Sequence, residues 1–245
     1  MTKGAVLILG GRSDIGLATA HALAGAGHPV WLAARNAAGL EPERTDLALR
    51  HGVEVSLHEF DVLDTAAMPG FLDALPGLPA VVVSVVGLLG DQAKDEHDPA
   101  AAICVMRTNY EGPATILGLI AERMEARGSG AIVGVSSVAG LRGRATNYIY
   151  GSAKAGFTAY LSGLRNRLAI RGVHVVTVLP GFVDTRMTAG MDLPKKLTAA
   201  PKEVGAAVRR ALEGQRDVVY VKPVWRLVMA VIRAIPERVF KKLRL

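Results

Sequence analysis

The stretch Ala5-Val6-Leu7-Ile8-Leu9-Gly10-Gly11-Arg12-Ser13-Asp14-Ile15-Gly16 reads as a buried strand, a tight turn and the start of a helix. Glycine lets the backbone turn sharply and lets a bulky anion come close. The helix start offers free N–H groups and a partial positive charge. Placed directly after the first strand, this turn predicts a site for the pyrophosphate of a dinucleotide, with Gly10, Arg12, Ser13, Ile15 and Gly16 as contacts. Asp14 is out of keeping with an anion site. Its expected role is to cap its own helix and point away from the ligand.

Outward from this turn, short β-branched runs alternate with helical patterns. Residues 5–9, 29–33, 53–59, 80–86, 131–136, 173–179 and 218–221 read as strands. They are apolar on both faces, as buried parallel strands must be. Residues 14–25, 65–75, 99–127, 150–171 and 201–213 read as helices. The alternation predicts an α/β fold: one doubly wound, Rossmann-type domain, with a parallel sheet of about seven strands and helices on both faces. Residues 1–221 form the expected catalytic domain, and residues 222–245 an appendage.

With 245 residues, half of them hydrophobic, the chain has material for a sizeable core. The single cysteine, Cys104, excludes an intrachain disulfide and a cysteine-rich metal site, and suits a reducing, cytoplasmic location. No apolar run predicts a membrane span. The net charge of +7 permits anionic partners without choosing among them.

The second strand ends at Ala33-Ala34-Arg35-Asn36. An acid there would bind a ribose 2′-hydroxyl. Arg35 suits a 2′-phosphate instead, which favours NADP (NADPH) over NAD. Arg12 is a second candidate for that phosphate. Asp61 and Val62, at the end of the third strand, are expected beside the adenine.

Ser137 follows a strand, and Tyr150-Gly151-Ser152-Ala153-Lys154 places a phenol and an ammonium on one helix face. A free phenol is too weakly acidic to act as a base at neutral pH. A neighbouring ammonium about 5 Å away is expected to lower its pKa by about two units. Tyr148 and Ser136 look similar but lack the partner: Tyr148 has Ser152, not lysine, four residues on.

On these residues, with Asn109 in Thr108-Asn109-Tyr110-Glu111-Gly112 and Pro180-Gly181 followed by Thr185, the chain resembles the short-chain dehydrogenase/reductase family. The resemblance implies a hydride-transferring oxidoreductase that interconverts a ketone and a secondary alcohol. Ser137 would orient the substrate oxygen and Tyr150 would be the acid/base. Lys154 would bind the nicotinamide ribose, and Asn109 would help hold a relay water. Gly87, Pro180, Gly181, Val183 and Thr185 would line the cofactor. A homo-oligomer, dimer or tetramer, is implied. One departure stands out: Ser84-Val85-Val86-Gly87 replaces the Asn-Asn-Ala-Gly of many members, so hydrogen bonding at that strand end must be arranged differently.

Gly87-Leu88-Leu89-Gly90-Asp91 and the ending Ile235-Pro236-Glu237-Arg238-Val239-Phe240 further resemble the reductases of decaprenylphosphoryl 2-keto-ribose. That implies a lipid-linked keto-sugar, whose phosphate Arg142, Arg144, Arg186, Lys195 and Lys196 could meet. Acyl and steroid ketones are alternative substrates. Other classes are a cofactor-binding regulator without turnover, a longer-chain sugar-nucleotide epimerase, and a nucleic-acid binder. The intact Ser137, Tyr150 and Lys154 argue against the first, and the chain length against the second. The third rests on charge alone, so no nucleic-acid partner is expected.

The appendage carries seven lysines and arginines against one acid, Glu237, interleaved with Trp225, Leu227, Met229, Val231 and Phe240. Such a segment fits peripheral contact with an anionic membrane, split near Pro236. It equally fits packing on its own domain or on a partner subunit.

Overall fold

The computed structural model describes residues 4–243. Seven parallel strands form one sheet: β1 (Val6–Leu9), β2 (Val30–Ala34), β3 (Val55–Glu59), β4 (Val81–Ser84), β5 (Gly130–Val135), β6 (Val173–Pro180) and β7 (Val218–Val221). Their spatial order is β3-β2-β1-β4-β5-β6-β7. The order reverses between β1 and β4, the place where a doubly wound sheet opens a crevice beyond its strand ends.

Every residue of β1 and β4 is buried, as the two-sided apolar runs require. Helices α1 (Asp14–Ala24), α2 (Glu41–His51) and α8 (Pro201–Glu213) cover one face, over a core that includes Ile8, Leu47, Val83 and Val208. Helices α3 (Met68–Asp73), α6 (Gly112–Arg127) and α7 (Tyr148–Leu168) cover the other, over Leu7, Met68, Ile120 and Phe157.

Three elements differ from the sequence reading. Helix α2 was not expected; among its residues only Leu47 is buried, so it lacks an apolar stripe. The single helix expected over 99–127 is instead α5 (Pro99–Met106), a π-helical turn over Arg107–Glu111, and α6. Pro113 sits in the first turn of α6, where a missing N–H costs nothing. Between α3 and α5 lies a short helix, α4 (Gln92–Asp95).

The appendage splits at Pro236 as expected, into α9 (Val224–Ala234) and α10 (Glu237–Phe240). Its inner face packs on the domain. Trp225 and Met229 are buried against Val138 and Leu179, and the indole Nε1 donates to the Leu197 carbonyl at 3.1 Å. Arg244 lies outside the described residues. No described helix is long and apolar enough to cross a membrane.

Candidate active site

A cavity of about 470 Å³ opens beyond the carboxyl ends of β1, β2 and β4. Gly10, Arg12, Ser13, Ile15, Arg35, Asp61, Val62, Gly87 and Thr185 line it together, drawn from loops far apart in sequence. Gly16, Pro180, Gly181 and Val183 do not line it.

The turn after β1 is built for close approach. Gly10 has φ +92°, in the left-handed region that favours glycine. A Cβ on Gly16 would lie 2.5 Å from the Gly10 carbonyl oxygen, so only glycine lets α1 start this close. Ser13, not Asp14, caps α1: its Oγ accepts from the Gly16 N–H at 3.0 Å. The expectation for Asp14 is thus corrected. It lies in the first turn, and its carboxylate is held by Arg186, whose Nε donates to Oδ1 at 2.9 Å.

Arg35 is exposed at the cavity, and Arg12 leans toward the same turn, donating to the Asn36 carbonyl at 2.5 Å. The Glu59 carboxylate fixes that turn by accepting from the Asn36 and Ala37 N–H groups, each at 2.8 Å. Asp61 accepts from the Leu63 N–H at 2.9 Å, which shapes the wall after β3.

Beside this cavity sit the predicted catalytic residues. Ser137 starts the turn after β5, and its Oγ accepts from the Ala139 N–H at 3.1 Å. Tyr150 and Lys154 stand on the first turns of α7, with the Ser137 side chain close enough to the Tyr150 phenol to favour its ionised form slightly. Lys154 is 3% exposed. Its Nζ donates to the Val135 carbonyl at 3.2 Å and lies 5.8 Å from the Tyr150 ring centroid. Val86, whose carbonyl Lys154 also approaches at 3.5 Å, lines the cavity and joins the two parts of the site.

Burial governs both ionisable groups. Desolvation pushes the Tyr150 phenol up to about 12, against a smaller lowering by Ser137. Desolvation also lowers Lys154 to about 8. The expected lowering of the phenol by its ammonium neighbour is therefore overturned. Taking the hydroxyl out of water dominates, and the opposing effect is the smaller one from Ser137.

Asn109 is fully buried in the π-helical turn. Its Nδ2 donates to the Leu88 and Val105 carbonyls at 2.6 and 2.8 Å, and the Leu88 N–H donates to its Oδ1 at 3.3 Å. This bracing supplies the hydrogen bonding that Ser84-Val85-Val86-Gly87 lacks after β4. Tyr148 and Ser136 stand apart from the reactive pair: Tyr148 donates to Glu96 at 3.2 Å, and Ser136 to the Lys154 carbonyl at 2.9 Å.

Of the proposed phosphate-binding cations, Arg142 is already paired. It donates to Glu237 at 2.7 Å, with its guanidinium 4.0 Å from the Phe240 ring centroid. Arg186 is taken by Asp14, Arg144 is partly buried, and Lys195 and Lys196 are exposed. The sequence reading missed Phe60, Val85, Cys104, Thr108 and Met187 as cavity lining. Phe60, Val85, Thr108 and Met187 each lie within two residues of a predicted contact (Asp61, Gly87, Asn109 and Thr185), whereas Cys104 had no such neighbour.

The sequence profile of the short chain dehydrogenase family matches residues 4–196. An uncharacterized oxidoreductase of Mycobacterium tuberculosis is 40% identical over 241 residues, covering 97% of this chain and 96% of that protein. A short-chain dehydrogenase from Sphingobium yanoikuyae, solved in complex with NADPH, superposes with a TM-score of 0.81 at 23% identity, covering 96% of this chain and 97% of that one. An actinorhodin polyketide ketoreductase solved with NADPH gives 0.80 at 24% identity, covering 89% and 95%. The chain belongs to the short chain dehydrogenase family and is an oxidoreductase of that family.

Proposed function

We propose that this chain is an NADPH-dependent reductase interconverting a ketone and a secondary alcohol. The observation that carries the reading is the grouping of Ser137, Tyr150 and buried Lys154 at the end of β5 and the start of α7, beside a cavity lined by the glycine turn after β1 and by Arg35. The residues present fit that cofactor: a turn with no room for a Cβ at Gly16, a helix start with free N–H groups, and Arg35 after β2 with Arg12 leaning toward the same turn. Gly10, Ser13 and Ile15 would hold its pyrophosphate, Arg12 and Arg35 a 2′-phosphate, and Asp61 and Val62 its adenine. Gly87 and Thr185, which line the cavity, and Lys154 beside it would serve the nicotinamide end. When bound, the reduced nicotinamide supplies the hydride.

The chain's own residues manage the proton. With its pKa up at about 12, Tyr150 stays protonated at neutral pH and donates to the developing alkoxide oxygen. Ser137 donates a second hydrogen bond to that oxygen as charge builds. Lys154, still mostly charged at neutral pH, sets the local potential for that transfer. Asn109 is read as a positioning residue that fixes the chain after β4.

The substrate proposed is a lipid-linked ketone, in the first place a keto-sugar on a polyprenyl phosphate. Acyl and steroid ketones are the alternatives. The appendage supports a lipid-like class. It packs on the turn following Ser137, while its outer face exposes Val224, Leu227 and Val231 among Arg226, Arg233 and Arg238. Peripheral contact with the inner face of an anionic membrane, from the cytoplasm, would suit that face. A homo-oligomer is part of the proposal. NADPH consumption across lipid-linked keto-sugars, acyl ketones and steroids tests it. Reduction of at least one class with NADPH is expected; no turnover with any would overturn the reading. Binding to anionic vesicles that falls with salt is expected of the full chain, and no binding at low salt would remove the membrane.

A further inference from the structure

The loop between β6 and α8 is pinned at its base. The Ala199 N–H donates to the Phe182 carbonyl and the Asp184 N–H to the Ala199 carbonyl, both at 2.9 Å, so residues 184–198 leave and return at one point. Near its start, the loop is tied across the cavity to the phosphate turn. The Arg186 main-chain N–H donates to Asp14 Oδ2 at 2.7 Å and its Nε to Oδ1 at 2.9 Å. Its Nη2 reaches the Arg12 carbonyl at 2.5 Å. Arg12, Ser13 and Asp14 on one side, and Thr185, Arg186 and Met187 on the other, line the same cavity.

Three contacts from one arginine to one turn, across 172 residues of sequence, resolve the anomaly of an acid in a pyrophosphate loop. Asp14 is neutralised by a charge from the opposite wall. The contact is also easily opened. Arg186 is 67% exposed, and water competes for such a pair.

We propose that Asp14 and Arg186 form a clasp that joins the phosphate turn to the 184–198 loop and slows release of bound cofactor. This rests on the proposal that the cavity holds a nicotinamide dinucleotide. The clasp closes the cavity wall after entry and opens for exit. Asp14 and Arg186 act on the reaction by holding the loop, so both are positioning residues.

The test is stopped-flow release of NADPH, followed by its fluorescence, from wild type, Asp14→Asn, Arg186→Gln and the double variant. Arg186 is exposed and Asp14 partly so, and far-ultraviolet circular dichroism checks that each of the four proteins is folded. Each single variant is expected to release NADPH about two- to fivefold faster, the range for an exposed ion pair. The double variant should be no faster than the faster single, because the second change removes nothing further. A carboxylate that only repelled pyrophosphate would give the opposite sign: Asp14→Asn would hold NADPH more tightly. That result, or unchanged release from both single variants, overturns the clasp. Wild type that binds no NADPH at all overturns the cofactor reading, and the clasp falls with it.

Discussion

Replacing Lys154 with methionine should destroy activity and make the protein more stable. Lys154 is 3% exposed, and burial lowers its pKa from 10.5 to about 8. Each unit is about 1.4 kcal/mol, so holding the charged lysine in the fold at neutral pH costs about 3 kcal/mol. Methionine is unbranched and of similar length, so it fits the same channel without the charge. Against the gain stands the lost hydrogen bond to the Val135 carbonyl, worth about 1 kcal/mol. The net is about 2 kcal/mol of stabilisation, or a rise in Tm of about 4–8 °C for a chain of this size. The pH dependence follows from the direction of the shift. Below about pH 8 the lysine is charged in both states and the whole cost is present. Between about 8 and 10.5 the folded lysine is neutral while the unfolded one still binds its proton, so wild-type stability climbs with pH. The gap between variant and wild type should therefore narrow over that range. Calorimetry or urea denaturation at pH 7 and pH 9.5 measures it. A variant less stable than wild type at pH 7, or a gap unchanged at pH 9.5, would refute the argument.

Reduction by the wild type should fall as pH rises through about 8, when Lys154 sheds its proton; a pH–rate profile flat to pH 10 would contradict this. Arg35→Asp should weaken NADPH binding about ten- to hundredfold relative to NADH, the value of a charge-assisted bond to phosphate, as read by cofactor fluorescence titration. Trp225→Ala should cost about 3–5 kcal/mol in urea denaturation, since the indole is 5% exposed and also bonds to Leu197.

The sheet was legible because its strands are buried on both faces. Val6–Leu9 and Val81–Ser84 carry their burial in composition alone. Helix α2 was not, because a helix that buries only Leu47 and leaves Leu49 82% exposed shows no apolar period. The π-helical turn over Arg107–Glu111 was hidden inside a continuous helical pattern, although Pro113 marked the break. Tyr150 and Lys154 could be found because four residues on a helix is a local relation. Arg186 with Asp14, and Arg142 with Glu237, could not, since nothing local records a contact made by the fold. The phenol's pKa went the wrong way for the same reason: the charge was visible in the sequence and the desolvation was not.

The most direct test of the central claim, that Tyr150 delivers the proton in NADPH-dependent ketone reduction, is the turnover of Tyr150→Phe on a ketone the wild type reduces, measured beside its affinity for NADPH. Removing one hydroxyl takes away the proton donor and leaves the ring in place. The account predicts a fall in kcat of at least about a hundredfold, with NADPH affinity within about twofold of wild type. Near-normal turnover by Tyr150→Phe would contradict it.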